Sequence, residues 1–375
     1  MLDPTKIFRC LQKHDVLFFT GVPDSLLKDF CACVAQNTPK DQHVIAANEG
    51  GAVALAVGYH LATGKVPLIY LQNSGVGNIV NPLLSLADPE VYATPLLFVI
   101  GWRGEPEIDD EPQHKKQGRV MLSMLDSMEI PYTIVSPDME QAESSIRQAL
   151  RTARDSNRPV ALIIRKGTFN SYRLQQIQSA SMKLTREQAI QQILDELSPN
   201  DIVVSTTGMA SREVFESRVR NNQGHQQDFL TVGGMGHASQ IALGIALQKT
   251  DRQVWCLDGD GAALMHLGSI AINGSLQPKN LKHIILNNGA HDSVGGQPTV
   301  GFQVDFLKIA QASGYQHTSQ AETTQEIKNK LAKIRELPGL SLLEIRIKKG
   351  ARKNLGRPTL TPVQNKEKFM KFLTP

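Results

Sequence analysis

Asp260 and Asn288 are the side chains of this 375-residue chain whose type and spacing point most directly to chemistry. They lie within WCLDGDGAALMHLGSIAINGSLQPKNLKHIILNNGAHD, Trp255 to Asp292. The stretch reads as an apolar strand, the turn Gly259-Asp260-Gly261, a helix, a second apolar strand and the pair Asn287-Asn288. In open parallel sheets, ligands bind beyond the carboxyl ends of the strands, and both residues fall at such ends. The connecting helix returns the chain so that the two ends become neighbours. Gly259 and Gly261 permit a tight turn and a close backbone approach. A carboxylate, an amide oxygen and a nearby main-chain carbonyl are hard oxygen donors. They suit Mg²⁺, which keeps its other positions for phosphate oxygens and water. The residues therefore ask for a metal diphosphate rather than a bare ion. Incidental Asp and Asn in a strand–turn–helix–strand unit are the competing account, and Gly-Asp-Gly alone would not exclude it.

Elements that position such a site recur through the chain. In the first half short apolar runs occupy 16–20, 44–47, 68–71, 96–100 and 160–164, with helical patterns between them at 52–62 and 142–154. The second half repeats the rhythm with runs at 202–206, 229–232, 254–257, 283–286 and 341–347, and helices at 186–196, 239–248 and 324–335. Apolar strands alternating with helices imply an α/β fold: two mostly parallel sheets, each covered by helices on both faces. The polar stretch around 173–184 is the expected linker between a domain at 1–172 and one at 185–375, which leaves no room for a middle domain. The halves share architecture, not evident residue identity. Trp102–Val120 reads as a long polar loop, a length that is usually mobile or functional.

Composition narrows the partners. The chain is 41% hydrophobic and 20% charged with a net charge of +4, ordinary globular usage. Small acidic ligands are compatible with that balance. No apolar run reaches membrane-spanning length, and the first ten residues lack the apolar core of a secretory signal. Cys10, Cys31, Cys33 and Cys256 form no CxxC pair. Reduced thiols in a cytoplasmic protein are expected, with no membrane partner. The basic stretch Lys348–Pro358 has no interleaved aromatics, so no nucleic-acid partner is expected. Rival motifs fail: position 264 is Leu, which breaks GxGxxG, and Gly58–Lys65 is followed by Val66, which breaks a P-loop.

Gly-Asp-Gly, about twenty-five residues, then Asn-Asn resembles the signature of thiamine-diphosphate-dependent enzymes. That resemblance implies two thiamine-diphosphate-binding domains, pyrimidine-binding first and diphosphate-binding second. It implies that Asp260, Asn288 and the Ala290 carbonyl hold Mg²⁺, and that Asn287 is the less apt of the pair. Such an enzyme also needs a carboxylic acid against the ring nitrogen of the coenzyme's aminopyrimidine. Glu49 in AANEGGAVALAVGYHLATG follows a strand and opens an apolar helix, and Gly50 and Gly51 leave room for a ligand. A helix-start glutamate favoured by the macrodipole would be its bland reading in isolation.

Over nearly its whole length the chain resembles the phosphonopyruvate decarboxylase family, close to the sulfopyruvate decarboxylases. The runs are TGVPDSLLKDF, NEGGAVALAVGYHLATGK, YLQNSGVGNIVNPLLSLAD, GWRGEPEIDDEPQHKKQGR, STTGMASREVFE, GGMGHASQIALGIA and NNGAHDSVGGQPT. What the resemblance implies is decarboxylation of 3-phosphonopyruvate to phosphonoacetaldehyde and CO₂ through a thiamine diphosphate carbanion, in phosphonate biosynthesis. It also implies self-association, with active sites at a subunit interface. Sulfopyruvate decarboxylation is the alternative, and a non-catalytic thiamine-fold protein is a third reading. A phosphonate calls for cations or helix N-termini: Arg103, His114 and Arg119, and the Asp24-Ser25 turn, are the candidates, whereas Lys115 and Lys116 better suit a solvated charge pair. Cofactor contacts are expected from Thr206, Ser211, Gly236, His237, Gly259 and Gly261. His237, His114 and His291 have the titration range of proton carriers, although a histidine bonded to backbone is as good an account of His291.

Overall fold

The computed structural model describes residues 1–172 and 182–374. The chain forms two compact units, Met1–Gln176 and Ile177–Pro375. Most of the expected linker, at 173–181, lies outside the described residues.

The first unit is a six-stranded parallel sheet of β1 (Phe19–Gly21), β2 (His43–Ile45), β3 (Leu68–Gln72), β4 (Leu97–Gly101), β5 (Tyr132–Ile134) and β6 (Val160–Ile164), in the order β2-β1-β3-β4-β6-β5. Side chains alternate across a strand, and here both faces are apolar. Leu68, Tyr70, Leu97, Val99 and Leu162 enter one buried cluster, and Ile69, Leu71, Phe98, Ile100 and Ile163 enter the other.

The second unit contains β7 (Ile202–Ser205), β8 (Asp228–Leu230), β9 (Val254–Gly259), β10 (Leu281–Asn287), the small antiparallel pair β11 (Ala290–His291) and β12 (Gln297–Pro298), then β13 (His317–Ala321) and β14 (Ser341–Arg346). Its main sheet is also parallel, in the order β13-β14-β10-β9-β7-β8. Counted from its own first strand along that sheet, it reads 2-1-3-4-6-5. The first unit reads the same, so the shared rhythm of the halves reflects one topology built twice.

Three sequence expectations are corrected. β5 and β13 were not legible as apolar runs, because both are edge strands that keep partly exposed positions. The expected loop Trp102–Val120 is only half loop: a helix runs from Pro112 to Ser127, started by a proline whose fixed φ suits the first turn. Strand limits shift by up to three residues, as at β1, where Val16 is buried ahead of the ladder. The helix Glu49–Thr63 begins where expected. Asn48 caps it by accepting from the Gly51 N–H at 2.8 Å, and Gly64 ends it at φ +70°. All four cysteines are buried and unbridged. Among the described residues no helix is long and apolar enough to cross a membrane.

Candidate functional site

In the second unit β9 and β10 run side by side, with Leu286 opposite Gly259. Asp260, which opens the helix Asp260–Met265, and Asn288 therefore leave adjacent strand ends. They meet in a cleft lined also by Arg186, Thr206, Met235 and His291. Asp260 is only 2% exposed. One carboxylate oxygen accepts from the Thr299 hydroxyl, and the other accepts weakly from the Asn288 N–H at 3.4 Å. Burial pushes its pKa up to about 6, against these hydrogen bonds. A carboxylate removed from water with so little compensation suits a divalent cation, which supplies the missing charge. The donor set is all hard oxygen, so the residues fit Mg²⁺.

The two asparagines differ in what is left free. The Asn287 NH₂ donates to the Gly301 carbonyl and to Glu344, both at 2.8 Å, and its oxygen accepts from the Gly289 N–H at 3.1 Å. It ties the turn together. The Asn288 NH₂ donates to Asp292 at 2.6 Å, and among the described residues its oxygen accepts only the Ala290 N–H at 3.0 Å. A lone pair of that oxygen remains for a cation, whereas the Asn287 amide is consumed by the fold. Backbone packs closely around these side chains. A Cβ at Gly301 would lie 2.5 Å from Asp260 Oδ2, and one at Gly261 would lie 2.8 Å from the His291 ring. His291 lines the cleft, and burial lowers its pKa to about 4, so it is neutral near pH 7.

The other expected cofactor residues are distributed unevenly. Thr206 reaches the cleft. Ser211 sits in the helix Met209–Arg220 with its hydroxyl on the Thr206 carbonyl at 2.8 Å and on Ser205 Oγ at 2.6 Å, which ties β7 to that helix. Gly236 has φ +66°, and a Cβ there would lie 2.6 Å from the Ala262 carbonyl; it lets its turn rest on the helix that Asp260 opens. His237 is exposed at the start of Ala238–Gln248, with Nδ1 3.1 Å from the Met235 carbonyl and its ring 4.3 Å from that of His266. Sequence reasoning missed Thr299, Asp292, Arg186 and Glu213. Arg186 and Glu213 are remote from the motif in the chain and carry no local signature.

In the first unit Glu49 is 6% exposed and accepts from Asn78 Nδ2 at 2.7 Å. A Cβ at Gly75 would lie 2.5 Å from Glu49 Oε1, so the glycine makes room for this carboxyl. Asp24 is fully buried and accepts from the Leu26 and Leu27 N–H groups at 2.9 and 3.2 Å and from Gln72 at 2.6 Å. Its carboxylate shapes the turn. Arg103 grips Asp110 with two nitrogens, Nε at 2.7 Å, and donates from Nη1 to Ser25 Oγ at 2.7 Å. His114 lies on the helix Pro112–Ser127, not on a loop, and its buried Nδ1 has no hydrogen-bond partner among the described residues. Burial, and then the charge of Arg103, lower its pKa.

Both units match known protein families. Residues 5–130 match the thiamine pyrophosphate enzyme N-terminal TPP binding domain, and residues 206–345 match the corresponding C-terminal domain. A phosphonopyruvate decarboxylase of Streptomyces viridochromogenes is 33% identical over 94% of this chain and 90% of its own length. One from Streptomyces hygroscopicus is 34% identical over 100% of this chain and 94% of its own. A sulfopyruvate decarboxylase of Methanosarcina acetivorans is 25% identical over 98% and 96%. The chain belongs to the thiamine pyrophosphate enzymes, in the phosphonopyruvate decarboxylase family.

Proposed function

We propose that the chain converts 3-phosphonopyruvate to phosphonoacetaldehyde and CO₂, with thiamine diphosphate and Mg²⁺ as cofactors, as a step in phosphonate biosynthesis. The near full-length likeness to two phosphonopyruvate decarboxylases carries the reading. The sulfopyruvate decarboxylase matches at lower identity, and its reaction is the alternative.

Asp260, Asn288 Oδ1 and the Ala290 carbonyl would hold Mg²⁺ against the diphosphate. Thr206, Gly236, Gly259 and Gly261 would shape the backbone around it, with units 1–172 and 185–375 as the pyrimidine- and diphosphate-binding domains. Glu49, steadied by Asn78, would offer its carboxyl to the aminopyrimidine. When bound, the coenzyme supplies the electron sink that accepts the pair freed as CO₂ departs. The protein's share is orientation, exclusion of water and proton handling. His237 and His114 are the candidates to move a proton. Ser25 and Arg103 are the candidates for the phosphonate, which would take the Arg103 guanidinium in competition with Asp110; Asp24 holds their turn in place.

Self-association is part of the same reading. The helix Glu49–Thr63 is apolar nearly all round yet leaves Leu55 and Leu61 exposed, and Gly268–Leu276 exposes Ile272 and Leu276. Apolar helical faces without cover suit a subunit interface. We assign an assembly of at least two copies, with Glu49 of one copy serving the metal site of its partner. A coupled assay for phosphonoacetaldehyde, run with and without thiamine diphosphate and Mg²⁺, tests the function. Product should appear only with both, and sulfopyruvate should be turned over more slowly. Faster turnover of sulfopyruvate would select the alternative. Sedimentation velocity at micromolar protein should show no monomer.

A further inference from the structure

The second unit carries a buried ion relay that the chemistry above does not use. Arg186, 6% exposed, donates from Nε and Nη2 to Glu213 at 2.8 and 3.2 Å, and from Nη1 to Asp292 Oδ2 at 2.9 Å. That same Asp292 oxygen accepts from the Asn288 NH₂ at 2.6 Å. The arrangement fixes which way the amide faces. Turned over, Asn288 would set its oxygen against the Asp292 carboxylate and its NH₂ against the Ala290 N–H, a double mismatch. Arg186 holds the Asp292 carboxyl in place, and Glu213 in turn holds the Arg186 guanidinium through two nitrogens.

Asp292 is also where the basic C-terminal stretch arrives. The Gly350 N–H donates to both Asp292 oxygens, at 3.1 and 3.0 Å. The segment is fastened on either side of that contact. Lys349 donates to the Gly296 carbonyl and the Lys348 N–H to the Leu184 carbonyl at 2.8 Å. Arg352 pairs with Glu187 at 3.1 Å and with Glu216, and Arg212 holds the Leu355 and Gly356 carbonyls. Lys349 and Arg352 thus engage a carbonyl and two carboxylates of their own unit, and the segment forms a strap over the loop that follows Asn288 and Ala290.

We infer that Asp292 is a positioning residue for the Asn288 amide oxygen, and that Lys348–Arg357 is the strap that holds Asp292 in register. This rests on the reading of Asp260 and Asn288 as Mg²⁺ ligands. Partners behind a ligand set its orientation, and their loss costs about 10–100-fold in metal affinity. The two ions discriminate a positioning role from a general structural one. Mg²⁺ demands near-ideal octahedral geometry, whereas Ca²⁺ tolerates a loose one.

The experiment is calorimetric titration of Mg²⁺, and separately of Ca²⁺, into protein saturated with thiamine diphosphate. It compares the unaltered chain, Asp292→Asn and Arg352→Ala, with melting temperatures of the metal-free proteins alongside. Asp292→Asn should weaken Mg²⁺ by about 10–100-fold and Ca²⁺ by only about threefold. Arg352→Ala, a partly exposed residue outside the core, should shift the Mg²⁺/Ca²⁺ ratio in the same direction by a few-fold with little change in melting. It decides the matter if Asp292→Asn does not fold. Equal weakening of both ions, or an unchanged ratio in the folded variants, overturns the inference. Failure of the unaltered chain to bind Mg²⁺ would instead overturn the metal-site reading beneath it.

Discussion

The same point of the same topology carries opposite chemistry in the two units. Asn73 is the first residue past β3, and Asp260 is the first past β9, each the third strand of its unit. Both are almost fully buried, and both reach the backbone leaving the fourth strand. Asn73 donates to the Arg103 carbonyl at 2.8 Å and accepts from the Arg103 N–H at 3.0 Å. Its amide satisfies both halves of its neighbour and is satisfied in return. Asp260 meets the Asn288 N–H at 3.4 Å and has no proton to give back. One change of side-chain type converts a self-sufficient strand tie into an unfinished electrostatic site. The scaffold is the same in both units, because each third-strand end points its side chain at the backbone leaving the fourth strand.

Four measurements test how far that contrast reaches. The largest effect is expected for Asp260→Asn, which imports the amide of the first unit. Turnover at micromolar coenzyme should fall about 10⁴-fold or more, since several kcal/mol of cation-mediated binding goes with the charge. Folding stability in chelator should hold or rise. Retained Mg²⁺ dependence would break the comparison.

Glu49→Gln comes next. Removing the acid should lower kcat by roughly 10²–10⁴-fold, while metal-dependent coenzyme binding, read by calorimetry, stays within a few-fold. If binding collapses as well, Glu49 is holding the fold instead.

The reverse exchange, Asn73→Asp, should leave the Arg103 carbonyl without its donor and place an unpaired charge in the core. A loss of about 1–3 kcal/mol is expected, read from the urea midpoint. Mg²⁺ should not restore it, because Trp102 is the first residue past the fourth strand of this unit, where the second unit has Asn288. Recovery with Mg²⁺ would mean that the carboxylate alone makes the site.

The smallest effect concerns the edge strands. His43 opens β2 as Asp228 opens β8. His43 lies 2.8 Å from the Tyr70 hydroxyl, and burial lowers its pKa from 6.5 to about 4. The folded chain keeps it neutral where the unfolded chain protonates it. Its contribution is therefore complete above about pH 6.5 and is lost as the pH falls toward 4. Between pH 7 and 5 the urea midpoint should fall less in His43→Phe than in the unaltered chain.

The α/β class and the twofold rhythm were legible because parallel strands buried on both faces write themselves as unbroken apolar runs. β5 and β13 were not, since an edge strand has one flank open and a mixed composition. The placement of Asp260 and Asn288 at adjacent strand ends, and of Glu49 at a helix start, was legible because glycines, strand ends and spacing frame them. Thr299, Arg186 and Asp292 were hidden because a hydrogen bond across the fold leaves no periodicity. The resemblance already favours Asn288 over Asn287, but the hydrogen bonds that occupy the Asn287 amide run across the fold and are read only from coordinates. The Trp102–Val120 stretch misled because its polar, Pro- and Gly-bearing composition resembles a loop while one of its prolines starts a helix.

The buried thiols give each unit its own clock. Cys10, Cys31 and Cys33 sit in the first unit and Cys256 in the second, all shielded, and burial raises the pKa of every one. A thiol reagent can modify them only when the surrounding segment opens. Mass-resolved labelling over time would then time the breathing of the first and second units separately, in one tube and without a dye.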